Sequence, residues 1–326
     1  ANKPVIGDYQ NEATVGVGEA KRLVFQEKIE LLIGPTYSQV TLAVLPIQNE
    51  AKIPSVNVSG SERLTPEVGP YAFSMLANAE AQSKVMVDYA VKNMKVQSAA
   101  IFSDVGAQAK TAVEAIKAEL AARNVKLAGV QEYQYRQTDM TPQLLALRRG
   151  APDVILLFTS NGEDTGNMIK SLNELGWNVK VVGSFGATFS GPALKIAGKD
   201  AYKNTVAVNY KGFSYCPSEP TPKSFQDFVA SVKAFKPEAF ERQPLAYLSL
   251  WYDAVYVLKA AVEGTGGKTD GPSVAAWLET NSRSFRGINS GLTASKSTHF
   301  LIGQDALTVV YPDRQREGGL LERVGC

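Results

Sequence analysis

Histidine occurs once in these 326 residues and cysteine twice. His299, Cys216 and Cys326 are widely spaced, so the close Cys/His clusters that hold zinc are missing and no metal site is expected. Neither sign of charge dominates. With 34 Lys and Arg against 32 Asp and Glu, interspersed, the net charge is +2, which leaves no electrostatic footprint for nucleic acid or an anionic membrane. No apolar run approaches the roughly 20 residues of a membrane span, so no membrane insertion is expected. No signal-peptide pattern is found, so the chain reads as cytosolic or as exported and already processed. Two cysteines permit one disulfide in an exported protein or two unpaired thiols in a reducing one, and the residues leave both open.

Motifs for chemistry are also scarce. Gly16-Val17-Gly18 begins a dinucleotide fingerprint, but Lys21 stands where the third glycine belongs, and the run lies inside a helical pattern. Gly267-Lys268-Thr269 ends like a phosphate loop, but Val262 holds the position of its first glycine and a helix precedes it. There is no Gly-x-Ser-x-Gly elbow. His299 has no nucleophile in its own segment and reads as structural. Asp104, Glu163 and Asp164 read as turn residues, helix caps or first-turn acids, not as an acid–base pair.

What the chain does contain is a recurring strand–turn–helix unit. The apolar run at 29–33 leads through Gly34-Pro35-Thr36-Tyr37-Ser38 into a helix. The first backbone N–H groups of a helix lack internal partners and favour negative charge, so Ser38 stands where a carboxylate can bind without a cationic side chain. A short strand at 55–58 runs into a second small-residue turn, Ser59-Gly60-Ser61. The strand at 99–103 leads to Asp104-Val105-Gly106-Ala107-Gln108, and that at 154–158 to Thr159-Ser160-Asn161-Gly162.

Further strands are predicted at 5–7, 125–133, 180–183 and 205–209, with helices at 15–26, 82–94, 107–123, 141–147, 162–175 and 245–263. Segments 214–222 and 264–272 read as surface loops. Strands alternating with helices predict an α/β fold: two Rossmann-like, doubly wound lobes, parallel sheets covered by helices on both faces, and ligand-facing turns beyond the strands' carboxyl ends. The length suits two domains.

In order and spacing, Ile33 to Thr41, then Ile53-Pro54 to Thr65, resemble the type I periplasmic solute-binding proteins of ABC importers, the Leu/Ile/Val-binding family. Residues 99–104, 153–158, Leu175-Gly176 before Val181-Val182-Gly183, and Ala246-Tyr247 before Tyr252-Asp253-Ala254-Val255 extend the resemblance over nearly the whole chain. It implies two lobes joined by three crossovers, near 77–80, 209 and 291, closing over a ligand in an interlobe cleft. The first lobe would comprise 1–79 with 210–290, the second 80–209 with 291–326. Residues 5–7 match the family's second strand, so the sequence reads as lacking the first strand and helix, without which the lobe would leave backbone amides unpaired.

The resemblance also implies the site: Tyr37 and Ser38, with Ser59, Gly60 and Ser61, for a ligand carboxylate; Gln108, Ser160, Asn161 and Phe185 from the other lobe; and Tyr247. Phe185 is the departure, because amino-acid binders of the family carry an acid near this position to meet the ammonium. A carboxylate site beside Tyr37, Phe185 and Tyr247 suits an aromatic acid of benzoate or phenylpropenoate type. Branched-chain or other hydrophobic amino acids, with Asp104, Glu163 or Asp164 meeting the ammonium, and short amides are the alternatives. The implied protein is a periplasmic monomer that uses no cofactor, performs no catalysis and passes its ligand to ABC transporter membrane subunits. A ligand-sensing domain and a doubly wound enzyme are the competing classes.

Overall fold

A computed structural model describes residues 3–238, 245–289, 291–316 and 318–326. The chain forms two compact units, Ala1–Asn78 with Ser249–Gly303 and Ala79–Leu248 with Gln304–Cys326. This grouping differs from the expected one. Residues 210–248 belong to the second unit, where Ser214 and Tyr215 pair with Leu321 and Glu322 in its sheet. Residues 291–303 belong to the first, where the Leu301 N–H donates to the Ser74 carbonyl and Phe300 bridges Ser74.

The first unit contains helix α1 (Ala13–Lys21), strand β1 (Leu32–Ile33), α2 (Ser38–Glu50), β2 (Ser55–Asn57) and β3 (Ala72–Ser74). Its sheet is parallel, in the order β1-β2-β3. All of β2 and β3 is buried, and α2 turns Val40, Val44, Leu45 and Ile47 inward at helical spacing. Leu45, Leu64, Ala72 and Phe300 form one core cluster. Each of its buried leucine and phenylalanine side chains contributes on the order of 1.5–3 kcal/mol.

Residues 5–7, expected as a strand, pair with nothing in this sheet. Ile6 is 84% exposed and Ile33 43%, and between their segments opens a groove of about 1170 Å³, floored by Leu23, Val40 and Val44 and flanked by Leu258 and Val262. Among the described residues no strand lies beside β1 on this edge, so residues 5–7 have no ladder to join.

The second unit carries α3 (Ala79–Lys92), β4 (Ser98–Asp104), α4 (Ala107–Ala122), β5 (Lys126–Tyr133), α5 (Thr141–Arg148), β6 (Val154–Phe158), α6 (Gly162–Glu174), β7 (Lys180–Gly183), α7 (Ser190–Ala197), β8 (Thr205–Tyr210), β9 (Ser214–Tyr215) and α8 (Lys223–Phe235). Helix α9 (Leu245–Gly264) crosses from this unit into the first, to which α10 (Gly271–Asn281) belongs. The chain returns to the second unit for β10 (Leu307–Gln315) and β11 (Leu321–Arg323). Strand order is β5-β4-β6-β7-β8-β10-β11-β9. The first five run parallel; β10 is antiparallel to both β8 and β11. Segment 214–222, read as a loop, supplies β9.

Strand β6 is buried throughout, as a strand covered on both faces requires, which is why its sequence is continuous Val-Ile-Leu-Leu-Phe and not alternating. Helix α4 buries Ala109, Ala112, Val113, Ile116 and Leu120, and α6 starts on Asn161, whose side-chain oxygen accepts from the Asp164 N–H. Phe102, Tyr133, Leu157, Met168, Val181 and Tyr202 fill the core between sheet and helices.

Cys216 and Cys326 form a disulfide, which closes the choice the sequence left open. The Arg316 guanidinium stacks over Tyr215 and donates to the carbonyls of Pro217 and Glu219, which pins the same segment.

Candidate functional site

In an open parallel sheet the chain leaves the carboxyl ends of neighbouring strands in opposite directions where strand order reverses, and a crevice forms there. In the second unit this happens at β4 and β6: from β4 the chain moves outward to β5, then returns to β6 on β4's other side. Asp104 closes β4 and Ser160 follows β6, so the topology brings them together. The Ser160 hydroxyl donates to Asp104 Oδ2 at 2.7 Å.

Asp104 is fully buried. Its Oδ1 accepts from the Gly106 N–H at 2.8 Å and from the Tyr135 hydroxyl at 3.3 Å. Burial raises its pKa above the usual carboxylate value, the three donors oppose that, and the Asp164 charge adds to the rise. A side chain at Gly106 would meet the Tyr135 hydroxyl at 2.2 Å and push it off Asp104.

Ser160 is half-buried, and its one hydroxyl proton is committed to a carboxylate, which can only accept. Ser160 Oγ can therefore offer only lone pairs to a ligand. Gln108 stands half-buried in the first turn of α4. The side chain of Asn161 is spent on helix capping: its oxygen takes the Asp164 N–H at 2.8 Å, and its amide donates to Asp164 Oδ2 at 2.7 Å.

The first unit carries the reverse polarity. Ser38 opens α2 after Tyr37, whose extended backbone is the helix cap. Ser38 Oγ accepts from the Ser59 hydroxyl at 3.1 Å and from the Gly60 N–H at 3.2 Å. The two hydroxyls thus spend one proton on each other and leave one to donate outward. Ser59 is fixed from behind: its N–H donates to Asn57 Oδ1 at 2.8 Å and its carbonyl accepts from the Ser74 hydroxyl at 2.7 Å. Ser61 is buried in the same turn, and its hydroxyl accepts from the Arg63 N–H at 3.4 Å. Tyr37 is half-buried beside Ser38. The large groove of this unit is lined by Gly34 and Pro35 but not by Ser38 or by the turn at 59–61, so it is separate from this donor cluster.

The aromatic residues of the second unit form a continuous run. Phe185 packs edge-to-face on Tyr210 at 4.8 Å and on Phe189 at 5.2 Å, and Phe189 on Tyr247 at 5.3 Å. Phe185 itself is only 3% exposed, whereas Phe189 and Tyr247 are half-buried and present the accessible end. The turn carrying Phe185 is stitched to the end of β6: the Thr159 N–H donates to Ser184 Oγ at 3.0 Å, and the Ser184 hydroxyl returns a bond to the Thr159 carbonyl at 3.0 Å. Gly186 lies so close that a side chain there would meet the Thr159 carbonyl oxygen at 1.9 Å.

Sequence reasoning missed Phe189 and Tyr210; it read Asp104 as a turn residue or cap and, in the amino-acid alternative, as a partner of the ammonium. The spacing of Phe185 and Phe189 is one signal for the first. Asp104 does receive the Gly106 N–H as a turn residue would, but its other oxygen holds Ser160, 56 positions away. His299 is buried, stacked on Phe73 at 4.0 Å, with Nδ1 3.1 Å from the Gly69 and Ala72 carbonyls and Nε2 3.2 Å from Glu279. It holds loop and helix together. No helix of the described residues is long and apolar enough to cross a membrane.

Comparison with known proteins agrees with this architecture. The family model described as periplasmic binding protein matches residues 3–313. A Leu/Ile/Val-binding protein of Rhizobium johnstonii is 26% identical over 275 residues, which is 84% of this chain and 71% of that protein. The substrate-binding protein of a branched-chain amino acid transporter from Streptococcus pneumoniae, solved with isoleucine, superposes with a TM-score of 0.79 at 16% identity, covering 97% of this chain and 84% of that one. An ABC transporter solute-binding protein of R. palustris, solved with 4-hydroxybenzoate, gives 0.79 at 18% identity, covering 95% and 81%. The chain belongs to the periplasmic binding protein family and has the type I fold of its Leu/Ile/Val-binding members.

Proposed function

We propose that this protein is an extracytoplasmic receptor that captures a small aromatic carboxylate and delivers it to the membrane subunits of an ABC importer, without chemistry on the ligand. Two features support the reading, one in each unit. Ser38, Ser59 and Gly60 offer a neutral donor cluster at a helix start, suited to a carboxylate. Phe189 and Tyr247, backed by the buried rings of Phe185 and Tyr210, offer flat apolar surface, with an aromatic ring at 185 where amino-acid binders of the family carry an acid. Membership of the periplasmic binding protein family supports a periplasmic location, and so does a disulfide, which persists in oxidising compartments.

A second reading has its own observation. Asp104 is a buried carboxylate beside Ser160, and it supplies negative potential that suits the ammonium of a branched-chain amino acid. The Rhizobium johnstonii relative is named for such ligands. A thermal-shift series separates the two, since a ligand that binds only the native state raises its melting temperature. 4-Hydroxybenzoate is expected to raise it, and leucine, isoleucine and valine to leave it unchanged. The opposite pattern makes the protein an amino-acid receptor and sinks the aromatic reading.

A further inference from the structure

We infer that Asp104 sets the polarity of recognition in the second unit, so that the part of the ligand meeting Ser160 must be a hydrogen-bond donor: a phenolic hydroxyl on an aromatic acid, or an ammonium on an amino acid. The inference rests on the reading of the protein as a receptor for small carboxylates, and it names the functional group that such a ligand carries besides its carboxylate.

The argument is a count of protons. Asp104 accepts three hydrogen bonds, from the Gly106 N–H, the Tyr135 hydroxyl and the Ser160 hydroxyl. A carboxylate has no proton to return, so the direction of the Ser160 bond is fixed. What Ser160 shows outward is an oxygen that can accept, and one polarised further by donating to a charged group. In the first unit the Ser38 and Ser59 pair has the opposite balance, with one proton to spare. Benzoate, 4-methoxybenzoate and 4-methylpentanoate carry a carboxylate and no donor for Ser160. An acceptor brought against Ser160 leaves two facing lone pairs without a proton, and a site built to receive a donor rejects a ligand lacking it.

Asp104→Asn reverses the sign locally. The amide oxygen can keep Gly106 and Tyr135, while the amide nitrogen donates to Ser160 and frees the Ser160 proton to point outward. The test is isothermal titration at neutral pH with two matched pairs, 4-hydroxybenzoate against 4-methoxybenzoate and leucine against 4-methylpentanoate. The unmodified protein should bind the donor member of the pair it accepts at least tenfold more tightly than its partner. In Asp104→Asn that ratio should fall to within about threefold or invert, as expected when a hydrogen bond of roughly 1.4 kcal/mol no longer discriminates. Ser160→Ala, which leaves the buried carboxylate in place, should lose the ratio as well and serves if Asp104→Asn does not fold.

Equal affinity within the accepted pair in the unmodified protein overturns the inference, even if aromatic acids bind. A ratio that survives in either folded variant overturns it too. Leucine binding with a ratio lost in the variants supports the inference while removing the aromatic reading. Failure to bind all four ligands removes both.

Discussion

Replacing both cysteines by serine should destabilise the second unit strongly and leave its ligand crevice intact. Cys216 and Cys326 are 110 positions apart, and closing a loop of that size in the unfolded chain is worth about 4.7 kcal/mol by loop-closure entropy. The folded state changes little, because β9 still pairs with β11 through Ser214 and Tyr215, and Arg316 still holds the carbonyls of Pro217 and Glu219. Nearly the full value should therefore appear as lost stability. A domain of this size loses about 2–4 °C per kcal/mol, so the expected fall in Tm is roughly 9–19 °C.

Calorimetry on the unmodified protein, the same protein with reductant, and Cys216→Ser with Cys326→Ser checks this. Reductant should reproduce the double substitution. Titration of a bound carboxylate well below Tm should show unchanged affinity, since β9 is five strand positions from β6, roughly 24 Å at about 4.8 Å per strand. A fall in Tm below about 3 °C would refute the loop-closure reasoning. It would mean that the unfolded chain already keeps the C-terminal strands together without the bridge.

Three other outcomes are expected. Gly186→Ala should cost at least 3 kcal/mol in chemical denaturation, because the new methyl group overlaps the Thr159 carbonyl and pushes the Phe185 turn off β6; a cost under 1 kcal/mol would show that the turn yields freely. Ser38→Ala should weaken carboxylate binding about tenfold, by losing the outward proton that the Ser59 pair leaves free; unchanged affinity by titration removes Ser38 from the site. Asp153 accepts from the backbone N–H groups of Gln97 and Ser98, both at 2.8 Å, which with the Ser98 hydroxyl holds its carboxyl below the usual range. A depressed folded value means stabilisation that is present above the unfolded value near 3.8 and lost as pH falls through the folded one. Asp153→Asn should thus lower stability at pH 7 and converge with the unmodified protein in acid, followed by urea denaturation at several pH values; a difference that stays constant with pH is incompatible with that assignment.

Much of the second unit was legible because its local signals agree with its tertiary role. Strand β6 is apolar at every position because both faces are covered, and α6 begins on Asn161 because the helix needs an acceptor for its first N–H groups. The C-terminal strands were not legible. Segment 214–222 contains three prolines and reads as loop, and β9 is a strand only because β11 lies beside it. Residues 5–7 show the converse, an apolar run that has a strand's sequence and no neighbour to pair with.

For the site, sequence alone determined which turns follow which strands, and that Ser38 begins a helix with free N–H groups; both depend on residues close together in the chain. Tertiary structure decided the direction of the hydrogen bonds. Whether Ser160 donates or accepts depends on Asp104, 56 positions earlier and adjacent only because strand order reverses at β4 and β6. Whether Phe185 is a surface ring or a supporting one depends on Phe189 and Tyr210 packing over it. A hydroxyl has one proton, and only the fold determines which neighbour takes it.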